Sequence, residues 1–133
     1  MDQILPGLYI GSLREAANLV DLKRHNITLI VNLSDEPNIF PDDFDYIRID
    51  VDDVATERDK LMAALRDTGT LEHIHEVLAQ REAVLVHCHA GISRSSTVVV
   101  LYLVRYQHMS IKEAIAFVRE RHRKAFLLGV NFL

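Results

Sequence analysis

The sequence is poor in cysteine, in basic charge and in long apolar runs, and each shortage excludes a class of protein. A single cysteine cannot form an intramolecular disulfide, which excludes a stapled secreted scaffold. Lys and Arg number 15 against 19 Asp and Glu, and this net charge of -4 argues against nucleic-acid binding through a broad basic face. No apolar run approaches the ~20 residues of a membrane helix, and no signal-peptide pattern opens the chain. We therefore expect a cytoplasmic or nuclear protein that is not secreted and has no membrane segment.

Proline and glycine are also scarce, with 3 and 5 residues, and no linker, repeat or low-complexity stretch divides the chain. Its 133 residues match the usual size of one domain, and 49% of them are apolar, which is enough to fill one core. We therefore predict a single domain over residues 1–133.

Strand and helix patterns alternate along this domain. Continuous β-branched runs predict buried strands, and apolar residues recurring at intervals of three and four predict helices. The predicted strands are 8–10, 27–33, 45–50 and 83–86, and the predicted helices are 13–24, 60–66, 71–80 and one that begins after a capping box at Ser110 and Glu113. This alternation predicts an α/β fold with a central, mostly parallel sheet flanked by helices.

The cysteine lies in the segment 87–95 (HCHAGISRS), directly after the predicted strand 83–86. If the chain turns here from strand to helix, successive backbone N–H groups point inward and form a nest that binds a tetrahedral dianion. Arg94 can add two parallel hydrogen bonds to phosphate oxygens. The predicted phosphate-binding residues are His89, Ala90, Gly91, Ile92, Ser93 and Arg94. The valine-rich segment 97–106 is then a buried helix rather than a strand, so the loop joins a buried strand to a buried helix.

The chemistry of Cys88 depends on these surroundings, because most lone cysteines are small buried hydrophobes without a chemical role. The nest amides, the dipole of the following helix and the Arg94 guanidinium all favour a thiolate. Zinc binding by His87, Cys88 and His89 is the alternative, but adjacent residues at a strand end point apart, and a zinc site needs further ligands at suitable spacing. We therefore expect no metal and no cofactor. The remaining histidines, His25, His73, His75, His108 and His122, are expected to be solvated.

The pattern His87-Cys88-x-x-Gly91-x-x-Arg94-Ser95 matches the active-site motif of the cysteine-dependent protein phosphatases. The segments that resemble, in order, landmarks of the small dual-specificity phosphatases are 4–12, 16–18, 27–34, 46–53 and 84–96. The low-molecular-weight phosphatases carry the motif near the N-terminus, and rhodanese-like domains lack a matching acid segment. The chain therefore resembles the small dual-specificity phosphatases, over residues 4 to about 121.

This resemblance implies that Cys88 is the nucleophile and that Arg94 holds the phosphate. The segment 49–53 (IDVDD) resembles the family's stretch in which an acidic residue precedes the catalytic aspartate, which selects Asp53 as the general acid. Asp52 and Asp50 stay open as alternatives, because strand alternation does not say which carboxylate of an irregular loop turns inward.

Two supporting residues are implied in the same way. Ser95 resembles the family hydroxyl that donates to the thiolate as it departs. His87 resembles the residue whose ring orders the loop backbone and helps keep Cys88 ionised. The family often carries a C-terminal asparagine that steadies the phosphate loop. Residues 124–132 read KAFLLGVNF, so that support is predicted to be displaced or absent.

The implied substrates are phosphoproteins. No extra segment would build the deep pocket of tyrosine-only enzymes, so the resemblance implies a shallow site that accepts phosphotyrosine and phosphoserine or phosphothreonine. One alternative is a phosphatase for phosphoinositides, glycans or RNA 5'-triphosphates, the last disfavoured by the acidic charge. Another is a phosphoprotein-binding module that recognises phosphate without cleaving it, and the presence of Cys88 counts against it.

Overall fold

The computed structural model describes residues 1–127, 129, 132 and 133. The five strands within these ranges form one sheet. They are β1 (Asp2–Leu5), β2 (Leu8–Gly11), β3 (Ile27–Asn32), β4 (Asp45–Arg48) and β5 (Ala83–His87). Their order is β1-β2-β5-β3-β4, in which β1 pairs with β2 antiparallel and all other pairs are parallel. The predicted α/β fold with a mostly parallel sheet is confirmed, and β1 is an edge strand that the sequence did not predict.

Helices cover both faces of this sheet. They are α1 (Leu13–Ala16), α2 (Leu19–Arg24), α3 (Arg58–Thr68), α4 (Thr70–Ala79), α5 (Arg94–Tyr106) and α6 (Ile111–Arg121), with one turn of 3-10 helix at Ala55–Glu57. Side chains of a strand alternate between its faces: Ile30 and Leu85 pack with Leu22 of α2, whereas Val31 and Val86 pack in the larger core under α3, α4, α5 and α6. None of the helices in the described ranges is long and apolar enough to cross a membrane.

The helix predictions are confirmed with one exception. The predicted helix 13–24 is wrong as a single element, because the chain breaks at Ala17 and Asn18. The Asn18 side chain accepts a hydrogen bond from the Asp21 N–H (3.1 Å) and so caps a new helix. Segment 97–106 is helical as part of α5, and Ser110 with Glu113 forms the predicted capping box of α6.

Candidate active site

The phosphate loop, which we define as residues 88–94, begins at the carboxyl edge of the sheet. Cys88 follows β5 directly, and parallel strands bring the ends of β3 and β4 to the same edge. The Leu33 N–H donates to the His87 carbonyl (2.9 Å), and the Ile49 N–H donates to the Asn32 carbonyl (2.9 Å). The fold therefore brings the segment that contains the candidate aspartates to the same edge of the sheet as Cys88.

The Ser93 carbonyl of the phosphate loop accepts a hydrogen bond from Thr97 of α5 (2.8 Å), and four further loop carbonyls accept from residues outside the loop and outside α5. The donors are the His87 ring to Cys88 (3.2 Å), the Leu13 N–H to His89 (3.1 Å), the His122 ring to Gly91, and the Phe126 N–H to Ile92 (2.9 Å). A trans peptide plane directs its N–H opposite to its C=O, and the described chain contains no cis peptide bond. The amides that follow these carbonyls, those of His89, Ala90, Ile92 and Ser93, are therefore directed away from the outer donors, as the predicted nest requires.

Cys88 lies at the base of this loop and is 2% exposed. Its Sγ is 3.3 Å from the Oγ of Ser95, which belongs to the first turn of α5 and is fully buried. The sulfur therefore contacts a buried hydroxyl and lies beside the N-terminus of α5.

Arg94 connects the phosphate loop to two other segments. Its Nη1 donates to the carbonyls of Leu33 (3.2 Å) and Val51 (3.0 Å). Its Nε is buried and has no hydrogen-bond partner among the described residues, and the same holds for Ser93 Oγ. An unsatisfied buried polar group costs about 1–3 kcal/mol, so both atoms are suited to a ligand that supplies acceptors.

The candidate aspartates differ in burial. Asp50 and Asp52 are exposed, and Asp50 faces Arg48 at 3.9 Å. Asp53 is partly buried, and its Oδ1 is buried without a partner in the described part of the chain. Asp53 lies two residues beyond Val51, whose carbonyl Arg94 holds. The geometry therefore favours Asp53 over Asp52 and Asp50 as the inward-facing carboxyl.

His87 is the last residue of β5 and is 2% exposed. Burial lowers the pKa of its ring, and the positive charge of Arg94 lowers it further, although the hydrogen bond to the Cys88 carbonyl opposes both effects. A neutral ring that donates from Nδ1 orders the loop backbone, but it contributes no positive charge to a Cys88 thiolate.

Sequence reasoning missed His122, the residue after α6. The expectation that this histidine is solvated is wrong: it is 5% exposed and contacts the Gly91 carbonyl. The sequence carries no signal for it, because the contact joins residues that are 31 positions apart. The predicted loss of the C-terminal asparagine support concerns a region in which Leu128, Val130 and Asn131 lie outside the described residues. No three His, Cys, Asp or Glu side chains of the described residues group as metal ligands would.

Comparison with known proteins places this site in a family. A family model for the dual specificity phosphatase catalytic domain matches residues 8–133. Human dual specificity protein phosphatase 9 is 40% identical over 133 residues, which cover 98% of this chain and 33% of that protein. Mouse dual specificity protein phosphatase 22 is 34% identical over 119 residues, 90% of this chain and 62% of that protein. The chain thus spans about a third of the first relative and under two thirds of the second.

Solved structures agree with this match. Human DUSP28 superposes with a TM-score of 0.82 at 27% identity, covering 94% of this chain and 85% of that chain. The human tyrosine phosphatase-like serine/threonine/tyrosine-interacting protein superposes with a TM-score of 0.73 at 30% identity, with the same coverage of 94% and 85%. The chain therefore belongs to the dual-specificity phosphatase catalytic domain family, whose members are cysteine-dependent phosphatases that need no metal.

Proposed function

We propose that this chain hydrolyses phosphotyrosine and phosphoserine or phosphothreonine in proteins through a phosphocysteine intermediate on Cys88. The observation that carries the proposal is the buried Cys88 Sγ, 3.3 Å from Ser95 Oγ, at the base of a loop whose carbonyls are bonded on its outer side. That arrangement leaves the loop amides and the Nε of Arg94, which has no partner among the described residues, to hold a dianion against the sulfur. Family membership supports the dual specificity.

In the first step the Cys88 thiolate attacks phosphorus in line with the leaving oxygen, forming the S–P bond as the P–O bond breaks. The loop amides and Arg94 stabilise the equatorial oxygens, where negative charge is held in the transition state. Asp53 gives its proton to the leaving alkoxide or phenoxide. A positioned general acid typically contributes about a hundredfold or more to the rate.

In the second step Asp53, now a carboxylate, takes a proton from a water molecule that attacks the phosphocysteine. The S–P bond breaks, inorganic phosphate leaves, and Ser95 donates a hydrogen bond to the departing Cys88 thiolate. The proton balance closes, because Asp53 ends the cycle protonated as it began.

The test is turnover of a small aryl phosphate in the presence of a chelator. We expect turnover by the unmutated protein, and none by a Cys88→Ser variant that still binds inorganic phosphate. Undiminished turnover in Cys88→Ser would refute the proposal. Rates on phosphopeptides, phosphoinositides and triphosphorylated RNA, compared side by side, then separate a protein phosphatase from one with a non-protein substrate.

The similarity to an interacting protein of phosphatase-like fold favours a second candidate, a phosphoprotein-binding module. This candidate predicts tight phosphopeptide binding with negligible turnover by the unmutated chain. The same aryl phosphate assay, paired with phosphopeptide binding by calorimetry, distinguishes the two functions.

A further inference from the structure

His122 is held between the phosphate loop and the edge strand of the sheet. Its Nε2 contacts the Gly91 carbonyl, and its Nδ1 lies 2.6 Å from Oδ2 of Asp2, which belongs to β1. A carbonyl oxygen only accepts hydrogen bonds, so Nε2 must be the donor. The second contact ties the same ring to β1, so His122 joins the edge strand of the sheet to the phosphate loop.

The carbonyl that His122 holds belongs to a residue that packs closely against β2. Gly91 has φ +73°, and a Cβ there would lie 3.0 Å from the backbone oxygen of Gly11, the last residue of β2. The Gly91 peptide can therefore move little toward the sheet. Because the peptide plane is rigid, a carbonyl held by His122 on the outside directs the Ile92 N–H toward the opposite side.

The next peptide is fixed from the same segment. The Phe126 N–H donates to the Ile92 carbonyl (2.9 Å), which by the same reasoning orients the Ser93 N–H. Two consecutive amides of the nest thus depend on the chain directly after α6. Of these two contacts, only the one from His122 uses a side chain, so a change of side chain at that position removes it without altering the backbone donor at Phe126.

We propose that His122, oriented by Asp2, is a positioning residue that holds the Gly91 peptide so that the Ile92 N–H faces the bound phosphate. A donor on the carbonyl also polarises the peptide group and strengthens its N–H as a donor to an anion. His122 would thus supply, from another position, the kind of loop support that the family's asparagine gives. The inference rests on the proposed function only in that the loop binds phosphate.

Two substitutions at one position test this role. In His122→Gln the side-chain amide nitrogen reaches the place of Nε2 and keeps a donor for Gly91, whereas in His122→Asn it reaches only the place of Nδ1. The measurements are the dissociation constant for inorganic phosphate by calorimetry, KM and kcat on an aryl phosphate, and the melting temperature, all on the full chain. We expect phosphate binding about tenfold weaker in His122→Asn, because the Gly91 carbonyl loses the donor that orients its peptide, and within about threefold of the unmutated protein in His122→Gln.

Both variants lose the imidazole packing, so their melting temperatures should fall by similar amounts. Equal phosphate affinities in the two variants, or unchanged affinity in His122→Asn, would overturn the proposal. Should both fail to fold, Asp2→Ala removes only a half-exposed carboxylate; about threefold weaker phosphate binding is expected, and unchanged binding would overturn the proposal. Phosphate affinity is independent of turnover, so a chain that binds phosphate with this dependence on His122 but hydrolyses nothing would refute the proposed function alone.

Discussion

Replacing Gly91 by alanine tests the close approach between the phosphate loop and β2. Gly91 has φ +73°, and an added Cβ would meet the oxygen of Gly11 at 3.0 Å and its carbonyl carbon at 3.2 Å. Both are backbone atoms of a paired strand, so no side-chain rotation relieves the contact. Gly69, between α3 and α4, is a matched control: its φ is +62°, but its Cβ would meet only the flexible Glu72 carboxylate at 3.5 Å.

The two substitutions share the left-handed backbone and differ mainly in the contact with Gly11, because the other atom near a Cβ at Gly91, the Nε2 of His122, lies at an ordinary van der Waals distance of 3.6 Å. A left-handed alanine costs roughly 1–2 kcal/mol at either position, offset by the lower entropy of the unfolded alanine chain, about 0.4–1 kcal/mol. Gly91→Ala adds an overpacking cost of about 1–3 kcal/mol. The free energy of unfolding should therefore fall by about 1–3 kcal/mol more in Gly91→Ala than in Gly69→Ala.

Urea unfolding of both variants measures this difference, provided that their m-values agree. Calorimetry with inorganic phosphate provides the second readout. We expect Gly69→Ala to bind phosphate like the unmutated protein and Gly91→Ala to bind it at least tenfold more weakly, since the loop must shift to admit the methyl group. Equal losses of stability in the two variants would refute the reasoning, because the loop would then have room to move away from β2.

Three further predictions concern the chemistry of the site. Asp53→Asn should slow substrates with poor leaving groups by about a hundredfold and good ones much less; a leaving-group series measures this, and the same pattern in Asp52→Asn instead would reassign the acid. Burial lowers the pKa of His87 below its usual 6.5. As the pH falls below about 6.5, the unfolded chain therefore binds a proton at this residue that the folded chain does not bind, and the free energy of unfolding decreases. Urea unfolding at pH about 7 and about 5.5 should show the stability advantage over His87→Gln shrinking at the lower pH, and a constant advantage would contradict it. Peroxide should inactivate the chain by oxidising Cys88 to a sulfenic acid, or to a sulfenamide with a backbone nitrogen, because no second cysteine is present to form an internal disulfide, and dithiothreitol reduces both forms; activity after thiol treatment is the measurement, with permanent loss as the opposing result.

Local features of the site could be predicted from sequence, because they lie within a short stretch of chain. The strand β5, the loop and the start of α5 are consecutive, so the spacing of Cys88 and Arg94 is enough to predict a turn from strand to helix and to identify segment 97–106 as a helix. The family resemblance then selected Asp53 from three neighbours, and its buried Oδ1 agrees with that choice.

Features that depend on distant contacts could not be predicted. His122 follows a helix in a charged stretch and looks solvated until Asp2 and Gly91, 120 and 31 positions away, are placed beside it. β1 was missed because its first two residues are exposed polar side chains at a sheet edge, which leaves no buried pattern to detect. The break at Asn18 is local and was missed because the apolar spacing of a helix continues through it. The Asn18 side chain nevertheless caps a new helix at this point.

The outer hydrogen bonds of the phosphate loop also set an order of events during synthesis. Leu13 precedes the loop, but His122 and Phe126 leave the ribosome after it. Until those residues emerge, the Gly91 and Ile92 carbonyls lack the donors that hold them, and the Ile92 and Ser93 amides that follow lack the contacts that orient them. The part of the nest that these two amides form is therefore complete only once the chain beyond α6 has been synthesised.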